Sequence, residues 1–300
     1  MTSDSYHRPL APDHPVAVRD RLLAHVGTPL PLDERREPTA VIALIAQAVG
    51  HLPYENLGKV ADRSERGSIR LPTIAETVDS HLENGSGGTC FALTDLLCAL
   101  LVASGFDARP ILADRTYGPA THCAVRVELQ GKPLLVDPGY LIHEPLPLLD
   151  MAVIRETPFH RLELVPIAPG GRELATIERA SSAPSSSTGT PPRRTYRLTY
   201  RIDPVDDGEF RDAWLASYDW PMMTYPVIAA VDRSRQLFVR GDRWQERSDR
   251  TTSRRRLDRA ALIDRLVNEL GMRREWVERA WRAFPDAPSL GGGDRARTGD

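Results

Sequence analysis

Gly87-Gly88-Thr89-Cys90-Phe91-Ala92-Leu93-Thr94-Asp95-Leu96-Leu97-Cys98-Ala99-Leu100-Leu101 joins a break in the chain to an apolar helix, with a cysteine at the junction. Phe91, Leu93, Leu96, Leu97, Leu100 and Leu101 recur at intervals of three and four, and Gly105 ends the pattern. A helix start carries unpaired N–H groups and the positive end of the helix dipole, and both stabilise a thiolate. A neighbouring imidazolium would lower the Cys90 pKa further. The two glycines let a substrate carbonyl approach the backbone, where a helix-terminal N–H can donate to a developing oxyanion. On its own, Gly-Gly-x-Cys is more often a buried structural cysteine after a loop, so the nucleophile reading needs a base.

The base is sought downstream. Cys123 to Leu129 alternates, with Val125, Val127 and Leu129 on one face; Gln130-Gly131 is a turn signal, and Leu134-Leu135-Val136 returns. In a hairpin with a two-residue turn, Leu129 faces Lys132 and Asp137 faces Ala124. His122 then lies diagonally from Asp137 on the same face, with Cβ atoms about 7–8 Å apart, a gap these side chains can close. Cys90 as nucleophile, His122 as base and Asp137 as orienter make an activated thiol. A metal reading of Cys90, Cys123, His122 and His143 is weaker, because no C-x-x-C spacing exists, and none is expected. Cys98 and Cys123 are expected to pack inward.

Around this centre the chain divides by pattern. Helices are expected over Val16–Val26, over Thr39–Leu52 with Thr39 as cap, and from Pro72 or Thr73 to about Leu82. Strands are expected over Ala108–Ala113, where Pro110 points to a sheet edge, and at Leu162–Val165, Tyr196–Ile202 and Gln236–Arg240. Ser181–Arg194 is low-complexity and reads as a disordered loop. Leu257–Phe284 reads as one or two helices broken at Gly271, Arg254-Arg255-Arg256 as a solvated helix start, and Gly291–Asp300 as a frayed tail. Trp214, Tyr218, Trp220 and Tyr225 read as packing between domains.

Bulk properties narrow the classes. The net charge of −2 gives no reason to expect nucleic acid or an anionic membrane as partner. Three irregularly spaced cysteines argue against a disulfide scaffold and for a reducing, cytoplasmic compartment. Residues 1–12 are polar and do not read as a secretory signal, and the longest apolar run, Leu96–Ala103, falls far short of the roughly 18 residues of a bilayer span.

Leu52-Pro53-Tyr54-Glu55-Asn56-Leu57 resembles the P-F-E-N-L signature of arylamine N-acetyltransferases, and Gly87-Gly88-Thr89-Cys90 resembles that family's Gly-Gly-x-Cys. His122 falls where its catalytic histidine would, and Val136-Asp137-Pro138-Gly139-Tyr140 resembles its D-V-G-F segment. The resemblance implies an α+β fold with a papain- or transglutaminase-like cysteine core. A helical bundle (1–104) would carry the nucleophile, followed by an antiparallel β-barrel (105–212) and an α/β lid (213–300). It implies a ping-pong acyltransferase with no bound cofactor. An acyl group, acetyl for preference, would pass from acyl-CoA through a Cys90 thioester to a small-molecule amine. Gly139, Tyr140, Thr89 and Phe91 would help line the substrate pocket.

Two positions depart from the family: Ser86 and Ala92 stand where it has Arg and Glu, leaving Glu55 without the arginine it pairs with there. The departures leave room for a carrier-protein-bound acyl donor in an amide synthase. A transglutaminase-like or cysteine-hydrolase activity shares the Cys–His–Asp order. A catalytically silent binding scaffold is the non-enzymatic alternative.

Overall fold

A computed structural model of the chain describes residues 13–28, 37–157, 161–177, 193–232, 235–248 and 251–284. The loop expected over 181–194 lies outside these residues except for its last two, and the tail expected over 291–300 lies outside them altogether.

Helices open the chain: α1 (Pro15–His25), α2 (Pro38–Val49), a two-residue strand β1 (Tyr54–Glu55), then α3 (Leu57–Arg66), α4 (Ile74–Asn84) and α5 (Cys90–Val102). Thr73 caps α4 in a reciprocal box with Glu76, and Gly85 ends it at φ 66°. The expected Thr39 cap is corrected: Pro38 occupies the first helical position and Glu37 is the cap, without a side-chain bond. Helix α3 was not expected, because its buried surface is only Leu57 and Ala61, one turn apart on an otherwise polar segment. Helix α5 is apolar nearly all round and sits at the centre of the bundle, its leucines packed among Leu22, Ile42, Ile45, Val49 and Val78.

Eight antiparallel strands follow: β2 (Asp107–Arg115), β3 (Gly118–Leu129), β4 (Lys132–Asp137), β5 (Ile142–Pro147), β6 (Val153–Glu156), β7 (Arg161–Ile167), β8 (Gly171–Ile177) and β9 (Arg194–Arg201). They order as β5-β4-β3-β2-β9-β8-β7-β6 in a strongly curled, barrel-like sheet. Alternation divides β3 between two cores. Cys123, Val125 and Val127 face the helices, while Ala124 faces a barrel interior of Ile111, Leu135, Leu174, Leu198 and Tyr200. The β3–β4 register runs from Leu129↔Lys132 to Val125↔Val136, and Gln130 and Gly131 take φ 53° and 74° in the turn. The edge position expected from Pro110 is corrected: β2 lies inside the sheet. The proline is tolerated because β9 pairs with β2 only at Ala113 and Asp114, so Pro110 meets no second ladder.

The remainder is α6 (Asp207–Ala216), two 3₁₀ turns over 217–224, strands β10 (Val227–Asp232), β11 (Arg235–Arg240), β12 (Arg243–Arg247) and β13 (Thr252–Arg256), then α7 (Arg259–Leu270) and α8 (Arg274–Trp281), with Gly271 between them at φ 67°. The arginine run 254–256 is not a helix start; it forms the edge strand β13, where charged side chains discourage further pairing. The strand order here is β1-β10-β11-β12-β13, so the C-terminal sheet takes its other edge from Tyr54 and Glu55. Trp214, Tyr218, Trp220 and Tyr225 pack against the helical core.

Burial lowers the pKa of His51 and of His81, and pushes His143 down to about 4. Unfolded, each titrates near 6.5. Over that interval the unfolded chain binds more protons, so these histidines leave stability intact above pH 6.5 and erode it as pH falls towards 4. Asp95, pushed up to about 6 by burial, works in the opposite sense. The contrast is therefore best read in a variant: His143→Asn should lose less melting temperature than wild type between pH 6.5 and 4, as followed by calorimetry.

Candidate active site

The loop that leads into Cys90 is held by β1. Gly88 N donates to Pro53 O (3.2 Å) and Glu55 N donates to Gly88 O (3.0 Å). A Cβ on Gly87 would lie 1.9 Å from Pro53 O, so only glycine permits this approach. Glu55 is buried, and among the described residues no arginine bonds its carboxylate. Its Oε2 accepts from Gly58 N (2.9 Å) and its Oε1 from Gly87 N (3.4 Å). Burial raises the Glu55 pKa against these backbone donors. Ser86, in the arginine's place, is buried and shares a hydrogen bond with Ser80. Asn56 ties the same segment to the C-terminal region: its Nδ2 donates to Met222 O (2.8 Å) and Tyr225 O (2.9 Å), and its Oδ1 accepts from Val227 N (2.8 Å).

Cys90 is the first residue of α5 and only 2% exposed. His122 Nε2 donates to Asp137 Oδ2 (2.7 Å), which leaves Nδ1 for the thiol. Tyr200 Oη donates to the same Oδ2 (2.7 Å), and Tyr140 N donates to Oδ1 (2.8 Å), so both carboxylate oxygens are engaged. Hydrogen bonding from the Cys123 thiol lowers the Cys90 pKa most. Burial opposes this, and His122 and Lys59 add to the lowering. Burial draws His122 down, but Asp137 and the Cys90 sulfur overcome it and carry it to about 9. The two directions agree on a thiolate–imidazolium pair at neutral pH.

Gly139 closes over this pair: a Cβ there would stand 2.8 Å from Cys90 Cβ and 3.0 Å from His122 Cε1. Gly139→Ala is expected to wedge sulfur and imidazole apart and lower kcat/KM about 10²-fold with little change in melting temperature. Tyr140 is half-buried. Thr89 is buried and its hydroxyl makes no capping bond. Phe91 turns into an aromatic cluster, its ring centroid 5.4 Å from that of Phe210, 6.4 Å from Trp214 and 6.0 Å from Trp220.

Of the four residues weighed for a metal, Cys90, His122 and Cys123 come together, while His143 packs against Gly50. Among the described residues no group of three or more His, Cys, Asp or Glu is placed to hold a metal ion. No helix among the described residues is long and apolar enough to cross a membrane. Cys98 bonds Ala108 O (3.2 Å).

Four residues of this site were not read from the sequence. Tyr200 lies across Ala113 from His122, each pairing with Ala113 from an adjacent strand. Cys123 was read as packing, or more weakly as a metal ligand, and not as a neighbour that tunes Cys90. Lys59 is pushed down to about 7 by burial, bonds Ser217 and lies 4.1 Å from the Tyr218 ring. Arg115 lies 5.7 Å from the Tyr117 ring, and Tyr117 meets Trp220 at 6.4 Å. Neither Lys59 nor Arg115 has a carboxylate within ion-pair distance among the described residues.

A helix-borne thiol beside a hairpin-borne imidazole that is hydrogen-bonded to a carboxylate invites comparison with known proteins. The model of the N-acetyltransferase family matches residues 40–276. This chain belongs to the arylamine N-acetyltransferase family. Solved structures of such enzymes share its fold. That from Salmonella typhimurium superposes with a TM-score of 0.71 at 16% identity, covering 89% of this chain and 99% of that one. The Mycobacterium abscessus enzyme gives 0.69 at 19% identity, covering 88% and 94%. The Mycobacterium marinum enzyme in complex with CoA gives 0.65 at 17%, covering 83% and 95%. Among curated proteins no sequence matches. Membership makes this chain an N-acetyltransferase enzyme. The mixed fold expected from the sequence is the fold observed.

Proposed function

We propose that this enzyme transfers an acetyl group from acetyl-CoA to an arylamine by a ping-pong route through Cys90, with His122 as base and acid and Asp137 as orienter. The observation that carries this is Cys90, first residue of α5, meeting the hydrogen-bonded His122–Asp137 pair at Gly139. The Cys90 thiolate attacks the thioester carbonyl, and the first-turn N–H groups of α5 stabilise the oxyanion. The imidazolium of His122 gives its proton to the departing CoA thiolate. The incoming amine then attacks the acetyl-Cys90 thioester, and neutral His122 takes its proton. Gly139, Tyr140, Thr89 and Phe91 form or back the walls of the pocket, and Arg115, with no carboxylate beside it among the described residues, gives it a positive side.

Among the alternatives, the family favours acetyl transfer over transglutaminase-like or hydrolytic chemistry, and CoA over a carrier-protein arm. Three unpaired cysteines support a reducing, cytoplasmic setting. The test is incubation with acetyl-CoA, with other acyl-CoAs and with an acyl-carrier protein in parallel, followed by peptide mapping. Acetyl on Cys90 is expected, absent in Cys90→Ala and at least about 10²-fold slower to form in His122→Ala. Release of that acetyl to arylamines with and without a carboxylate completes the cycle. Label from the carrier protein alone would overturn the CoA reading.

A further inference from the structure

Cys123 stands beside the nucleophile although the hairpin does not require a thiol there. Thr94 is one turn along from Cys90 and shares its face of α5. Cys123 Sγ reaches this face, donating to Thr94 Oγ1 (3.4 Å), and is the neighbour that lowers the Cys90 pKa most. It is fully buried, whereas Cys90 must be reachable by substrate. The third cysteine, Cys98, is occupied with Ala108 O on β2.

We infer that Cys90 and Cys123 form an oxidative modification site, in which Cys123 captures an oxidised nucleophile as an intramolecular disulfide. The oxidant is a hydroperoxide. The Cys90 thiolate attacks the peroxide oxygen, the O–O bond breaks, and Cys90 becomes a sulfenic acid as the alkoxide or hydroxide leaves. The Cys123 sulfur then attacks the Cys90 sulfur; an S–S bond forms, the S–O bond breaks, and the Cys123 proton leaves with the hydroxyl as water. The electrostatics favour this order. While Cys90 is a thiolate, burial and that charge hold the Cys123 proton in place. Conversion to a neutral sulfenic acid removes that charge. Burial of Cys123 limits competing oxidation of the second thiol. The disulfide halts acyl transfer and shields Cys90 from irreversible sulfinic and sulfonic acids, and a thiol reductant restores it.

This inference rests on a reactive Cys90 but not on the identity of the acyl donor. The test treats reduced full-length protein with a small excess of hydrogen peroxide, blocks remaining thiols with iodoacetamide under denaturing conditions, and maps the peptides. A Cys90–Cys123 cross-linked peptide is expected, with Cys98 the alkylated residue of the three. Dithiothreitol should restore most of the activity. In Cys123→Ser and Cys123→Ala, the same treatment should leave Cys90 as sulfinic or sulfonic acid and activity unrecovered. Sulfinic acid on wild-type Cys90 without the cross-link, or a cross-link through Cys98, would overturn the inference. Because wild type alone decides, misfolding of a variant does not shelter it. A parallel alkylation of native protein separates the two failures: a Cys90 inert to both reagents sinks the nucleophile as well, whereas one that alkylates but never cross-links sinks only this site.

Discussion

Asp137→Asn should lower kcat/KM by about 10³- to 10⁴-fold while the protein stays folded. The native carboxylate accepts at both oxygens, from His122 and Tyr200 at Oδ2 and from Tyr140 N at Oδ1. An asparagine would keep its oxygen towards Tyr140 N, turning its NH₂ to His122 and Tyr200. The tyrosine hydroxyl can switch from donor to acceptor. His122 can comply only by making Nε2 the acceptor, which moves the ring proton to Nδ1, the nitrogen left for the thiol. The imidazole then has no lone pair for Cys90 and loses the anion that raises its pKa. Two measurements separate this from simple damage. The melting temperature should change little, and alkylation of Cys90 by iodoacetamide, nearly flat with pH around neutrality in wild type, should rise steeply with pH as for an unactivated thiol. An Asp137→Asn enzyme with wild-type kcat/KM would remove the orienter from the mechanism.

Gly87→Ala should be the most damaging substitution outside Cys90, His122 and Asp137. The new Cβ would stand 1.9 Å from Pro53 O and 2.9 Å from Pro53 C, and neither backbone atom can rotate away. Relief requires the bonds between β1 and the nucleophile's loop to open: Gly88 N to Pro53 O, Glu55 N to Gly88 O, and Gly87 N to the buried Glu55 carboxylate. A cost of about 3 kcal/mol is expected, with loss of measurable acyl transfer. Gly88→Ala, whose nearest obstacle is the Ala92 methyl at 2.8 Å, makes the comparison. Denaturant melts of the two variants check the ordering. Gly87→Ala as stable as wild type would show that the loop is not held as described.

What the sequence revealed and what it hid follow from the range of the forces involved. Helix α5 and the β3–β4 hairpin were legible because each is specified locally, one by apolar spacing into Gly105 and one by alternation around Gln130-Gly131. The His122–Asp137 pairing followed from that register alone. Tyr200 was not legible: it reaches the site only because β9 pairs with β2 across Ala113, a contact between residues far apart in the chain. Cys123 was placed on the right face, but alternation cannot say that α5 presents its first turn to that face. Strand β13 was misread because three consecutive arginines carry no period, and its pairing with β12 gives the only clue. The partner of Glu55 was sought among side chains, whereas the backbone supplies it.

Residues 54 and 55 bear on how the polypeptide matures on the ribosome. Their hydrogen-bonding partners in β10 come from residues 228 and 229, more than half the chain later. A nascent chain that has emerged only through its first helices can bury its leucines, yet the latch beneath the reactive sulfur stays half-made until the last third has been translated. That latch is thus completed late in synthesis, and a protein cut anywhere before residue 222 leaves the amide of Asn56 with no main chain to grip.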